Sequence, residues 1–248
     1  MSDLIEGRHP VLESLKAGRP INKIMLANNT GRNDIIAEIM HLSKQKGIRV
    51  EYVEKTALDR LSESGGKHQG IVAYAAAHEY VEIEDILASA HAKSEAPFLI
   101  LLDGIEDPHN LGAIIRTADA AGAHGVVILK HRAVGLTSIV AKASAGAVEH
   151  VPVARVNNLN DCIRKLKEQR IWVMGLDEAG EIDIKKADFK LPLALVIGRE
   201  GAGLSRLVKE NCEMLIKIPM KGKINSLNAS VAAGVVMYEV VRQRSNLI

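Results

Sequence analysis

Three stretches of this 248-residue chain combine glycine, polar and chargeable residues in patterns that chemistry requires. The first runs Asp103-Gly104-Ile105-Glu106-Asp107-Pro108-His109-Asn110 into a helical pattern that carries Arg116. Asp, Pro and Asn are favoured in turns and helix caps, so Asn110 taken alone reads as a cap. Arg116 asks for more, because it stands among small and apolar residues, where an unpaired charge is costly unless it faces a polar site. A guanidinium at such a site suits phosphate or carboxylate. The second stretch, Gly198-Arg199-Glu200-Gly201-Ala202-Gly203-Leu204, follows a strand-like run, and its glycines let backbone approach a ligand closely. Its G-x-x-G-x-G order, late in the chain, differs from the G-x-G-x-x-G of a dinucleotide fold and argues against a redox enzyme. The third stretch, Ile218 to Ser230, opens the last helical pattern. Ser226, Asn228 and Ser230 are all good cap residues, but capping accounts for one of the three. Between Ile218 and Leu227 the backbone offers donors and acceptors suited to an adenine edge.

These stretches must be held by regular elements. Strand-like runs at 98–102, 126–129, 172–176, 193–197 and 215–218 alternate with helical patterns at 111–121, 137–143, 159–169 and 228–242. In the last of these Val231, Val235 and Tyr238 recur at helical spacing as an apolar lining. The alternation predicts a parallel sheet covered by helices, with ligands bound beyond the carboxyl ends of its strands, where all three stretches fall. Ahead of it lies a smaller α/β pattern: a short helix from Arg8, a strand at 23–26, a helix at 32–46, and strands at 48–53 and 70–74. The expected organisation is a small domain over 1–76, a linker over 77–97, acidic and rich in small residues, and a catalytic domain over 98–248.

Composition narrows the function classes. Apolar residues make up 47% and charged residues 25%, ordinary values for a folded protein. No apolar run is long enough to span a bilayer, the N-terminus lacks a signal-peptide pattern, and a cytoplasmic location is expected. Cys162 and Cys212 have no paired spacing and read as core residues, with no metal expected. The net charge of +2 averages a basic surplus over 8–67 against an acidic 78–96. With aromatics at only 3%, RNA contact would lean on phosphates and shape, through Arg8, His9, Arg32, Lys67 and His68, with Lys130 and Arg132 nearer the catalytic half.

Taken in order and spacing, the three stretches resemble the three motifs of the SpoU-type (TrmH-like) branch of the SPOUT RNA methyltransferases. Asn110 with Arg116 is similar to the first, residues 198–204 to the second, and Ile218-Pro219-Met220 with Ser226-Leu227-Asn228 to the third. The segment before Ala77, including His68-Gln69-Gly70, further resembles the small RNA-binding domain of bacterial enzymes that methylate a guanosine ribose in large-subunit (23S) ribosomal RNA. The resemblance implies a trefoil knot in the C-terminal domain, S-adenosylmethionine as methyl donor, and a homodimer whose cleft draws on both subunits. It implies that Gly198, Gly203, Ile218, Met220 and Leu227 hold the cofactor, and that Asn110, Arg116, Glu200, Ser226 and Asn228 form the catalytic centre. Transfer RNA as the substrate, or RNA binding without catalysis, are the alternatives left open.

Overall fold

The computed structural model describes residues 2–31, 34–62, 67–76, 78–223 and 225–245. Arg32, expected among the RNA contacts, lies outside the described residues. The elements in chain order are β1 (Ser2–Glu6), α1 (Arg8–Lys16), β2 (Ile21–Ala27), α2 (Asp34–Gln45), β3 (Arg49–Val53), α3 (Lys55–Leu61), β4 (Ile71–Ala76), α4 (Ile83–Ala92), β5 (Phe98–Asp103), α5 (Pro108–Ala120), β6 (Gly125–Leu129), α6 (Ser138–Ala143), β7 (Val153–Val156), α7 (Leu159–Glu168), β8 (Trp172–Leu176), β9 (Ile182–Asp183), β10 (Leu193–Gly198), α8 (Arg206–Asn211), β11 (Met214–Lys217) and α9 (Ala229–Arg244). They form two compact units, one of Met1–Glu79 with Leu136–His150, the other of Tyr80–Gly135 with Val151–Ile248.

In the first unit the sheet runs β1-β4-β2-β3, with β2 and β3 parallel and the other pairs antiparallel. Ile5, Val11, Leu15, Ile24, Ile39 and Ile71 fill a core beneath α1 and α2. The strand β1 and helix α3 were not expected from the sequence, being short and flanked by charge. The segment between β6 and β7 belongs here through Glu149, whose carboxylate is 5% exposed. Glu149 accepts from Ser14 Oγ at 2.7 Å and from Arg19 Nη1 at 3.0 Å, with His78 Nε2 at 3.3 Å. Burial alone would raise this carboxyl, but His78, Ser14 and Arg19 together outweigh it and hold it below the usual carboxylate range.

The second unit carries a seven-stranded sheet, β7-β6-β5-β10-β8-β11-β9, with every neighbouring pair parallel. β5 is apolar up to its last residue, Asp103, β10 is apolar throughout, and both are buried at every residue, as strands covered on both faces must be. From β5 the chain builds outward to β6 and β7, then returns to the other side of β5. The order therefore reverses between β5 and β10, where a crevice opens beyond the strand ends. Gly198 is registered against Asp103, which sets the second loop beside the first.

Residues 77–97, expected as a linker, are structured from Val81 onward. Val81 bridges to Ala154, and α4 buries Ile86, Leu87 and Ala90 in the core of the second unit. Their spacing gives one short apolar face, which acidic neighbours mask in composition. The lining expected for α9 is rotated: Val231, Val235 and Tyr238 are 52%, 41% and 55% exposed, and Ala233, Val236, Met237 and Val240 face inward. A helix apolar on two faces offers two candidate stripes, and only packing chooses between them. Cys162 is buried and Cys212 half-buried, and burial pushes both thiols up to about 12. Among the described residues no group of three or more His, Cys, Asp or Glu is placed to hold a metal ion.

Candidate active site

The carboxyl ends of β8, β10 and β11 border a cleft of about 200 Å³ that opens to solvent. One wall is the turn after β10. Arg199 N donates to Gly203 O at 3.1 Å and Gly203 N donates to Arg199 O at 2.9 Å, closing the turn on itself. Gly201 and Gly203 sit at φ +75° and +64°. A Cβ on Gly198 would lie 2.2 Å from the carbonyl carbon of Gly203, so bare backbone alone fits there. Asp103, at the end of β5, accepts from Ser205 N at 2.6 Å and fixes where α8 begins. The facing wall is the stretch after β11, with Ile218, Met220, Ser226 and Leu227 lining the cleft. The backbone amides of Met220 and Leu227 donate to no described residue, which leaves them for a ligand.

At the mouth of the cleft three loops meet. Asn228 Nδ2 donates to Asn110 Oδ1 at 2.9 Å and to Glu200 Oε2 at 3.1 Å. Asn110 Nδ2 donates to the same Glu200 oxygen at 3.4 Å. Asn110 is not the cap of its helix. Asp107 caps α5 by accepting from His109 N at 2.9 Å, with Pro108 in the first turn, which frees Asn110 to point, 7% exposed, toward the other loops. Asn228 has two functions: its Oδ1 caps α9 by accepting from Ser230 N and Val231 N, while its amide makes the bridge. Ser226 is exposed and carries no side-chain bond to a described residue.

Arg116 departs from expectation. It is exposed on α5 and bonded to no described residue, so the cost of burying it does not arise. Among the expected RNA contacts, Arg8 is half-buried, its Nε donating to Gln69 O at 3.2 Å, and His9 and Lys67 are exposed. Lys130 and Arg132 are exposed on the second unit. His68 does not present its ring to solvent: it is fully buried, with Nε2 2.9 Å from Asp59 Oδ1 and Nδ1 accepting from Gly70 N at 3.1 Å. Asp177 and Lys209, joined at 2.8 Å, and Glu178 also line the cleft and were missed. The position of Asp177 and Glu178 just after β8 was the available signal, since a fourth strand end borders the same crevice, while Lys209 reaches it from α8.

Comparison with known proteins agrees with this geometry. Residues 97–238 match the model of the SpoU rRNA Methylase family, and residues 4–81 match RNA 2′-O ribose methyltransferase substrate binding. A Bacillus subtilis protein assigned to the TrmH family of tRNA/rRNA methyltransferases, YacO, is 52% identical over 98% of this chain and 96% of its own. The SpoU methyltransferase AviRb from Streptomyces viridochromogenes, solved with AdoMet, superposes with a TM-score of 0.82 at 29% identity, covering 98% of this chain and 90% of that one. The AdoMet-bound rRNA methyltransferase from Sinorhizobium meliloti gives 0.79 at 28% identity over 99% and 88%. The cleft fits that cofactor by its donor set: bare backbone on one wall, unengaged amides on the other, and the carboxylates of Glu178 and Glu200 for a ligand that carries a sulfonium and an ammonium. The chain therefore belongs to the SpoU/TrmH family and is an S-adenosylmethionine-dependent RNA 2′-O-ribose methyltransferase.

Proposed function

We propose that the substrate is a guanosine ribose in large-subunit ribosomal RNA, and that Asn110, Glu200 and Asn228 form the fixed part of the catalytic centre. The observation that carries the second statement is their three-way hydrogen bonding at the cleft mouth, which joins loops about 90 and 118 residues distant from Asn110. For the substrate, support comes from the rRNA methyltransferase of S. meliloti, which matches both units of this chain, and from the substrate-binding match over residues 4–81. Recognition then falls to the first unit through Arg8, His9 and Lys67, with Lys130 and Arg132 contributing from the second, and RNA affinity drops steeply as salt rises.

When bound, S-adenosylmethionine supplies an electrophilic methyl group on a sulfonium. The chain's own task is to align a ribose hydroxyl and assist its proton. Glu200, oriented by two amides on one oxygen, keeps acceptor capacity on its other oxygen for a hydroxyl or a guanidinium. Arg116 offers donors and no acceptor, so its role is to position the nucleotide through its phosphate. Ser226 holds the ribose from the cleft wall. Gly198, Gly203, Ile218, Met220 and Leu227 hold the cofactor largely through backbone.

Two features of the second unit support a homodimer. α5 packs on α9 where Thr117 meets Gly234, and Arg116 and the exposed Val231, Val235 and Tyr238 flank that contact. A second copy covering this surface buries the stripe and carries Arg116 to the partner's cleft. The trefoil knot is supported by β10 lying between β5 and β8 while the turns after β10 and β11 share one cleft. Among the described residues no helix is long and apolar enough to cross a membrane, and we place the enzyme in the cytoplasm, with its RNA.

Transfer of labelled methyl to a 23S ribosomal RNA fragment, with transfer RNA in parallel, tests the substrate; methylation of transfer RNA alone overturns it. Arg116→Ala should abolish transfer while cofactor affinity stays within about twofold. Mixing that variant with Asn110→Ala should restore about a quarter of wild-type turnover if the cleft is shared, because one cleft in the mixed dimer then holds both groups. No restoration overturns the shared cleft.

A further inference from the structure

We propose that Arg199 seats a phosphate of the RNA substrate at the cleft mouth and so positions the target nucleotide. The inference rests on the RNA methyltransferase activity and adds a residue that the catalytic cluster does not include. Arg199 is exposed and lines the cleft between Gly198, on the cofactor wall, and Glu200, in the catalytic cluster. Its backbone is clamped by the two hydrogen bonds with Gly203. Its side-chain stem lies across Gly104, where a Cβ would come within 3.1 Å of Cδ and 3.3 Å of Cγ. Gly104 has φ +80° and belongs to the loop that leads to Asn110. One glycine therefore meets two needs, a left-handed turn and a groove for the arginine stem.

The guanidinium itself is unspent. The other cation lining the cleft, Lys209, is 2.8 Å from Asp177. The carboxylate next to Arg199 in sequence, Glu200, is oriented by Asn110 and Asn228 through one oxygen and makes no ion pair with Arg199. Arg199 makes no side-chain hydrogen bond or ion pair with a described residue. A planar five-donor group, held at its backbone and along its stem with its head in solvent, is suited to bidentate contact with an anion that arrives with the substrate. RNA brings such an anion on both sides of every ribose. Arg116 does not duplicate this role, since within one chain it is apart from the cleft lining.

The test compares Arg199→Ala, Arg199→Lys and Gly104→Ala with wild-type enzyme, using a ribosomal RNA fragment and transfer RNA as separate probes. A wrong choice of RNA class shows in the wild type, before any variant is compared. Arg199→Ala should raise the RNA Kd, or the RNA KM with kcat little changed, about tenfold, and lower the slope of log affinity against log salt by about one. By titration calorimetry its S-adenosylmethionine Kd should stay within about twofold. Arg199→Lys should keep the salt slope and recover part of the affinity, since charge persists and bidentate geometry does not. Gly104→Ala should displace the stem and weaken RNA binding about threefold with the slope intact. Unchanged RNA affinity in Arg199→Ala overturns the proposal. So does a loss confined to cofactor affinity, which would assign the guanidinium to the cofactor's carboxylate.

Discussion

Replacing Asn228 separates its two functions. Its Oδ1 caps α9 at Ser230 N (3.0 Å) and Val231 N (3.3 Å), and its Nδ2 bridges Asn110 and Glu200. Serine keeps a cap of about equal strength and removes the amide, so Asn228→Ser isolates the bridge. The loss centres on Asn110, which is 7% exposed and whose Oδ1 is left without its donor, at a cost of about 1–3 kcal/mol. Glu200 is exposed and rehydrates at little cost. Asn228→Ala removes the cap as well, about 1 kcal/mol more. The two variants should therefore differ by about 2–4 °C in the melting temperature of the second unit, alanine being the lower. Both should lose most methyl transfer, because either change frees Asn110 and Glu200 from their fixed geometry. Scanning calorimetry and labelled-methyl transfer on the same preparations give both readouts. Equal melting temperatures for the two variants would show that Asn228 does not cap α9, and full activity in Asn228→Ser would remove the bridge from the catalytic argument.

Other perturbations test other parts of the structure. Gly198→Ala forces a Cβ to 2.2 Å from the Gly203 carbonyl carbon and should cost about 3 kcal/mol and abolish cofactor binding in calorimetry, whereas Gly201→Ala, with open space around it, should cost about 1 kcal/mol of backbone strain. Tyr238→Glu puts charge into the exposed α9 stripe and should shift the enzyme to monomer in light scattering with the melting temperature nearly unchanged. Glu149 has a folded pKa below its ordinary 4.5, so its contribution is fully present above that value and is lost as pH falls through the folded pKa. Glu149→Gln should accordingly flatten the acid end of the first unit's urea-midpoint profile below pH 4.5; an unaltered profile would assign that acid sensitivity to other groups.

Much of the catalytic unit was legible in the chain, because a parallel sheet writes itself as apolar runs alternating with amphipathic helices, and β5, β8, β10 and β11 lie within a residue or two of expectation. The candidate site was legible as loops rather than as contacts. Asn110, Glu200 and Asn228 are each ambiguous alone, and Asn110 looked like a helix cap until Asp107 took that place. The residues that misled share one cause. Arg116, His68 and Val231 were read from their local neighbours, while their exposure depends on which distant element packs there.

Composition and spacing alone determined the class of fold, the three loops at its strand ends and the order in which they occur, since periodicity and backbone conformational preference are local properties. Tertiary structure decided which residues touch: the shared oxygen of Glu200, the glycine groove beneath Arg199, the inward face of α9 and the capture of residues 136–150 by the first unit. Those outcomes depend on close packing between segments far apart in the chain, where a single Cβ or an unpaired polar atom changes the balance by more than any local preference.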